Sequence, residues 1–266
     1  LGWSFSYLFN NPLILYVAVA ISIVMNIGGY WYSDKLALAT SGAQPVGPEH
    51  RELERIIENL AITSGMPKPK VYIINDPAPN AFATGRDPMH GAVAVTTGLI
   101  AMMEKAELEG VIAHELSHIK NRDTLVMTVV VVLLGFVTLL SDFFIRAQFM
   151  SGGDRDNKVG AILIVAGIAL AIFAPIIAQL IQLAISRKRE FLADASGALL
   201  TRYPEGLASA LKKRGEYPAA MKRANHATAH LFIGSPFGAR AIKGFNKLFM
   251  THPPVEERIR ALIGGM

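Results

Sequence analysis

Three stretches of this 266-residue chain carry no charged side chain: Pro12 to Tyr32, Thr124 to Ser141 and Val159 to Ile185. A helix needs about 20 apolar residues (range ~17–25) to cross the hydrocarbon core of a bilayer, so each stretch is long enough to span one. The first closes in Tyr30-Trp31-Tyr32, as an interfacial aromatic belt does, and it has neither the basic leader nor the small-residue cleavage site of a signal peptide. The expectation is a transmembrane helix at 12–32 and a transmembrane pair at 124–141 and 159–185, joined by a polar loop at 142–158. Composition agrees, with 52% hydrophobic residues, 18% charged and a mean hydropathy of +0.35, which argues against a purely soluble fold. The net charge of +5 is concentrated in residues 186–266, where 14 Lys/Arg stand against 6 Asp/Glu. That placement suits the cytoplasmic face of a membrane rather than a nucleic-acid partner.

The remaining sequence falls into two pieces, 33–123 and 186–266. In the first, a Pro/Gly-rich linker (Gly42 to Pro48) precedes a helix at Glu49 to Ser64 whose Leu53, Ile56, Ile57, Leu60 and Ala61 form one apolar stripe. Val71 to Asn75 and Ala92 to Thr96 read as strands, and the uncharged Asn80 to Gly85 between them can run extended. A helix entered by Glu104, Glu107 and Glu109 runs from Lys105 through His118. The second piece reads as mainly helical.

Within that helix lies His114-Glu115-Leu116-Ser117-His118, an H-E-x-x-H motif. Residues i and i+4 share a helix face, so both imidazoles can reach one tetrahedral Zn²⁺ while Glu115 points toward the water to be activated. The chain has no cysteine, so any metal must be held by His, Asp or Glu. A catalytic zinc takes three protein ligands, and no histidine follows at the short downstream spacing that some such motifs show. Glu190 and Asp194 offer a second i, i+4 pair, of which one can bind the metal while the other receives an imidazole N–H. Two crossings between His118 and Glu190 would return both to the same side of the membrane. His252, in Thr251-His252-Pro253-Pro254, is a candidate donor to a tetrahedral oxyanion, whereas His226 and His230 read as surface or packing residues.

The segment Asn80 to Gly85, the Ala92 to Leu99 strand and turn, Ala113 to His118, Ser186 to Asp194, and Thr251 to Pro254 with Glu257-Arg258 together resemble the HtpX-type membrane zinc metalloproteases, which share their peptidase fold with the CAAX prenyl endopeptidases. The resemblance covers nearly the whole chain. It implies an α+β, mainly helical fold, in which a zincin-like peptidase domain with a small β-sheet is joined to a transmembrane helical bundle. It implies one Zn²⁺ per chain held by His114, His118 and Glu190, with Glu115 as general base and Asp194 orienting a histidine. It further implies a multi-pass protein of the inner or plasma membrane, its peptidase domain facing the cytoplasm, cleaving damaged membrane proteins. Such relatives carry a further apolar span before the first one here, and the chain starts at Leu1 without Met, so a missing N-terminal segment is expected. Asn80, Ala81, Phe82, Ala83 and Thr84 form the expected substrate-binding strand, pairing through main-chain hydrogen bonds. Three rivals stand. In a site-2-type intramembrane protease the motif would lie within an apolar span, whereas here charges flank it. A scaffold or transporter with structural zinc should place ionisable residues inside its spans, and these have none. Prenyl-peptide processing differs only in substrate.

Overall fold

The computed structural model describes residues 11–127, 180–181, 183–223, 232–234, 236 and 252–264. The expected loop at 142–158, nearly all of the expected spans at 124–141 and 159–185, and His226 and His230 lie outside the described residues. The first expected span is a helix, α1 (Pro12–Trp31), opened by Asn11, whose side chain accepts from the Leu13 amide at 3.0 Å, and by Pro12 at the first helical position. Its Leu13, Tyr16, Val17, Ile21, Val24 and Met25 are exposed. Among the described residues no helix is long and apolar enough to cross a membrane. The side chains of Ile14, Leu15, Val19 and Ile23 in α1 are not among those described.

A short helix, α2 (Ser33–Ser41), ends at Gly42 in the left-handed region (φ 69), and β1 (Gln44–Pro45) follows. The next helix, α3 (Arg51–Ser64), starts after a 3₁₀ turn at Pro48–His50, two residues later than its sequence pattern suggested. It buries Leu53, Ile56, Ile57, Leu60 and Ala61, the stripe read from periodicity. Then come β2 (Lys70–Ile74), β3 (Ala81–Thr84) and β4 (Ala92–Thr96), in a sheet of order β1-β2-β4-β3. β2 and β4 are parallel; β3 runs antiparallel to β4 with Ala81 opposite Val95. Period-2 alternation divides the core. Val71, Ala81, Ala83, Val93 and Val95 pack toward α3 and the metal-motif helix, while Phe82, Ala92 and Ala94 join Ala37 and Leu38 of α2 on the other face.

Thr96 caps α4 (Thr97–Met102) by accepting from the Leu99 amide at 3.1 Å. A reciprocal capping box, Glu104 with Glu107, opens α5 (Lys105–Lys120). The second piece contributes a helix at residues 183–201 (α6), α7 (Pro204–Glu216) and α8 (Val255–Ile263). Two glycines let these helices press on α5. A methyl group at Gly110 would lie 2.9 Å from Leu207 Cα, and one at Gly197 would lie 2.9 Å from His114 N. The mainly helical architecture with one small sheet agrees with the expected peptidase part of the fold, and the expected transmembrane bundle is not shown among the described residues.

Candidate metal centre

α5 carries His114 and His118 on its inner face, one turn apart, and α6 brings Glu190 against them. The Nε2 atoms of the two histidines are 3.0 Å apart. Glu190 Oε1 lies 3.5 Å from His118 Nε2, and Oε2 lies 3.9 Å from His114 Nε2. One donor atom from each of the three residues falls within 4.8 Å of the others, a group that could hold a metal ion.

The other ring nitrogens explain why this group fits a cation. His114 Nδ1 is 2.9 Å from Asp194 Oδ1, and His118 Nδ1 is 2.6 Å from Asp123 Oδ2. Each carboxylate holds the imidazole proton on Nδ1, so both Nε2 lone pairs face the Glu190 carboxylate. Three converging lone-pair donors in a buried site repel one another unless a positive charge lies among them, and two neutral imidazoles with a carboxylate match the N and O donors of a zinc site. Burial holds His114 neutral, its pKa pushed down to about 4. Glu190 is also buried, which by itself would raise its pKa, but His252, Arg258 and His118 hold it well below the usual carboxylate range.

Beside the ligands, Glu115 is 1% exposed, stands against the Ala83 backbone, and its oxygens have no well-formed hydrogen bond among the described residues. Burial, reinforced by the Glu190 charge and opposed by His118, pushes its carboxyl up to about 7. A carboxyl so placed takes and returns protons near neutral pH.

Behind the ligands Arg258 of α8 is buried. It donates to Asp194 through Nε (2.8 Å) and Nη2 (2.6 Å) and to the Ile233 carbonyl through Nη1 (3.1 Å), which also lies 3.3 Å from Glu190 Oε2. The Asp194 carboxyl is thereby held down at about 2, against the opposing effect of its burial. His252 Nδ1 stands 3.0 Å from Glu190 Oε2. The expected substrate strand, Asn80 to Thr84, is wholly buried, and Phe232–Gly234 already lines its outer side. Phe232 bridges Phe82, the Ile233 amide donates to the Ala81 carbonyl at 2.9 Å, and Asn80 Nδ2 donates to the Gly234 carbonyl at 3.0 Å.

Residues 48–264 match peptidase family M48. The chain belongs to that family. It is 49% identical over 268 residues to a protease HtpX homolog of Caldanaerobacter subterraneus subsp. tengcongensis, covering 98% of this chain and 88% of that one. A second protease HtpX homolog, from Thermoanaerobacter pseudethanolicus, is 50% identical over 269 residues at the same coverage. The crystal structure of S. mikatae Ste24p shares the fold with a TM-score of 0.54 at 18% identity, covering 94% of this chain and 58% of that one. As an M48 member the chain is a metallopeptidase. Reading the sequence gave no site role to Asp123, Arg189 or Arg258, which the structure brings to the ligand residues. Arg258 figures there only as part of the resemblance, with no role attached to it.

Proposed function

We propose that this M48 metallopeptidase is a zinc-dependent endopeptidase integral to the inner or plasma membrane, cleaving damaged or misfolded membrane proteins on the cytoplasmic side. The observation that carries the catalytic part is the convergence of His114, His118 and Glu190 next to the buried Glu115. His114, His118 and Glu190 would hold Zn²⁺, which when bound supplies a Lewis acid for the scissile carbonyl and for water. Glu115 accepts the proton of the attacking water at its carboxylate and delivers it to the leaving amine. Asp194 and Asp123 keep the ligand imidazoles in one tautomer, and Arg258 keeps Asp194 ionised. His252, whose ring stands beside Glu190 at 3.0 Å, is the proposed donor to the developing oxyanion.

An extended substrate aligned on Asn80–Thr84 has to displace Phe232–Gly234 from Ala81. Main-chain pairing of that kind gives weak sequence selectivity. The exposed apolar side chains of α1 support the membrane part of the reading, because such a surface is at home in lipid.

The test uses the full chain purified in detergent with zinc, given an unfolded soluble protein and a membrane protein. Both wild-type cleavage reactions should stop with chelator. Glu115→Gln should retain zinc and lose turnover. Undiminished cleavage by a zinc-loaded Glu115→Gln protein would refute the base assignment. Cleavage of the soluble protein alone would refute the substrate class.

A further inference from the structure

The two ligand histidines are braced by different parts of the chain. His114 leans on Asp194 and Arg258, both in the second piece. His118 leans on Asp123, which follows it on its own segment at 2.6 Å and is itself buried. Asp123 reaches back because the chain turns sharply after α5. Arg122 adopts φ 53, one of only two non-glycine residues at positive φ among those described. A side-chain-bearing residue rarely occupies that region unless its surroundings impose it, so the turn is held by what Asp123 contacts.

Those contacts extend to α6. The other oxygen of Asp123, Oδ1, pairs with Arg189 Nη2, which also donates to the Asn121 carbonyl at 2.8 Å. Arg189 immediately precedes Glu190, the ligand that α6 supplies. One carboxylate therefore grips His118 with one oxygen and the residue beside the third ligand with the other.

We infer that Asp123 and Arg189 are positioning residues that act as a bracket: Asp123 fixes the His118 tautomer and ring plane, and Arg189 fixes the end of α6 so that Glu190 meets both histidines. This rests on the zinc reading of His114, His118 and Glu190. The bracket is separate from the Asp194–Arg258 pair, so the metal centre is held from two sides, each by an arginine-backed carboxylate on one histidine. Carboxylates behind ligand histidines raise their basicity and orientation, and losing one costs about 10–100-fold in metal affinity.

The test measures zinc affinity of the full chain by chelator competition in the Glu115→Gln background, so that no turnover is needed. The Co²⁺-substituted absorption spectrum and the melting temperature in chelator are recorded beside it. Asp123→Ala should weaken zinc binding about 10–100-fold and shift the Co²⁺ bands. Asp123→Asn, which retains shape and an acceptor for His118 Nδ1–H but loses the ion pair with Arg189, should fall between wild type and Asp123→Ala. Arg189→Met should weaken zinc with Asp123 intact. If Asp123→Ala does not fold, Asp123→Asn and Arg189→Met decide. Melting temperatures that fall while zinc affinity and Co²⁺ bands stay at wild-type values would reduce the bracket to a structural tie and overturn the inference. Glu190→Ala is run alongside: full zinc affinity there would refute the zinc reading itself, whereas a loss there with wild-type binding in the Asp123 and Arg189 variants would refute the bracket alone.

Discussion

Replacing Gly197 by Ala tests how closely α6 must approach α5. The added methyl would lie 2.9 Å from His114 N, 3.1 Å from His114 Cα and 3.2 Å from Ala113 C, where ordinary contact begins at 3.4 Å. All three neighbours are backbone, so no side chain can swing aside, and the helices must part by about half an ångström, an overpacking cost of about 1–3 kcal/mol. Working against this, Ala is the better helix former by about 0.5–1 kcal/mol. The clash wins, leaving a net loss of about 1–2 kcal/mol. At about 2–4 °C per kcal/mol for a chain of this size, the chelated protein should melt about 2–8 °C lower. Because Asp194 sits one turn from Gly197, the same displacement stretches its 2.9 Å contact with His114, and zinc affinity should fall with Tm. Scanning fluorimetry in chelator and competition for zinc read the two effects. Gly28→Ala in α1 is the control, since a methyl there meets nothing within 4 Å and should leave Tm unchanged or raised. A Gly197→Ala protein as stable as Gly28→Ala and binding zinc normally would show that the two helices are not in close contact.

Thr96→Val should cost about 2–4 kcal/mol in denaturant unfolding, because the fully buried Thr96 hydroxyl accepts from the Asn80 amide (2.8 Å) and caps α4 through the Leu99 amide; Thr96→Ser should recover most of it. Burial pushes the Glu107 carboxyl up, but bonds from Lys213 (2.7 Å), Ser209 (2.6 Å) and the Glu104 amide (2.8 Å) outweigh it and hold its pKa below the ordinary value of 4.5. Its share of stability is therefore complete above the unfolded pKa and lost as pH falls through the lowered folded one. Unfolding curves from pH 7 to 3 should show a steeper acid loss for wild type than for Glu107→Gln, which starts about 1–3 kcal/mol less stable; parallel curves would refute the assignment. His252→Phe should lower kcat about 10²–10³-fold with zinc content and KM unchanged, and an unaltered kcat would return His252 to packing.

Local periodicity made the helices of the first piece legible. The 3.6-residue spacing of Leu53, Ile56, Ile57 and Leu60 specified the buried face of α3, and H-E-x-x-H displayed both histidines and Glu115 because four residues make one helical turn. Boundaries were less legible: Pro48 begins a 3₁₀ turn before α3, which apolar periodicity does not register. The i, i+4 pair Glu190 and Asp194 beside a membrane-like stretch marked where a third ligand could come from, and only the resemblance singled out Glu190. Arg258 and Asp123 could not be read from spacing. Their partners lie 64 residues away for Arg258 and Asp194, and 66 for Arg189 and Asp123, and a long-range ion pair leaves no period in either segment. The segment lining the outer side of β3 was hidden for the same reason, since Phe232–Gly234 is too short to carry strand alternation.

Arg258 follows Glu115 far along the sequence, and the two are therefore made at different times during synthesis. At about 5–20 residues per second, the ribosome makes Glu115 on the order of ten seconds before Arg258. Until α8 docks, Asp194 is a carboxylate without its guanidinium partner in a site that buries it, a state that keeps the surrounding helices from closing. A growing chain therefore carries the full H-E-x-x-H helix before Asp194 has its guanidinium partner, and the proposed metal centre should close only once α8 docks. A chain cut short before Arg258 should therefore leave Asp194 unpaired and the group of His114, His118 and Glu190 open.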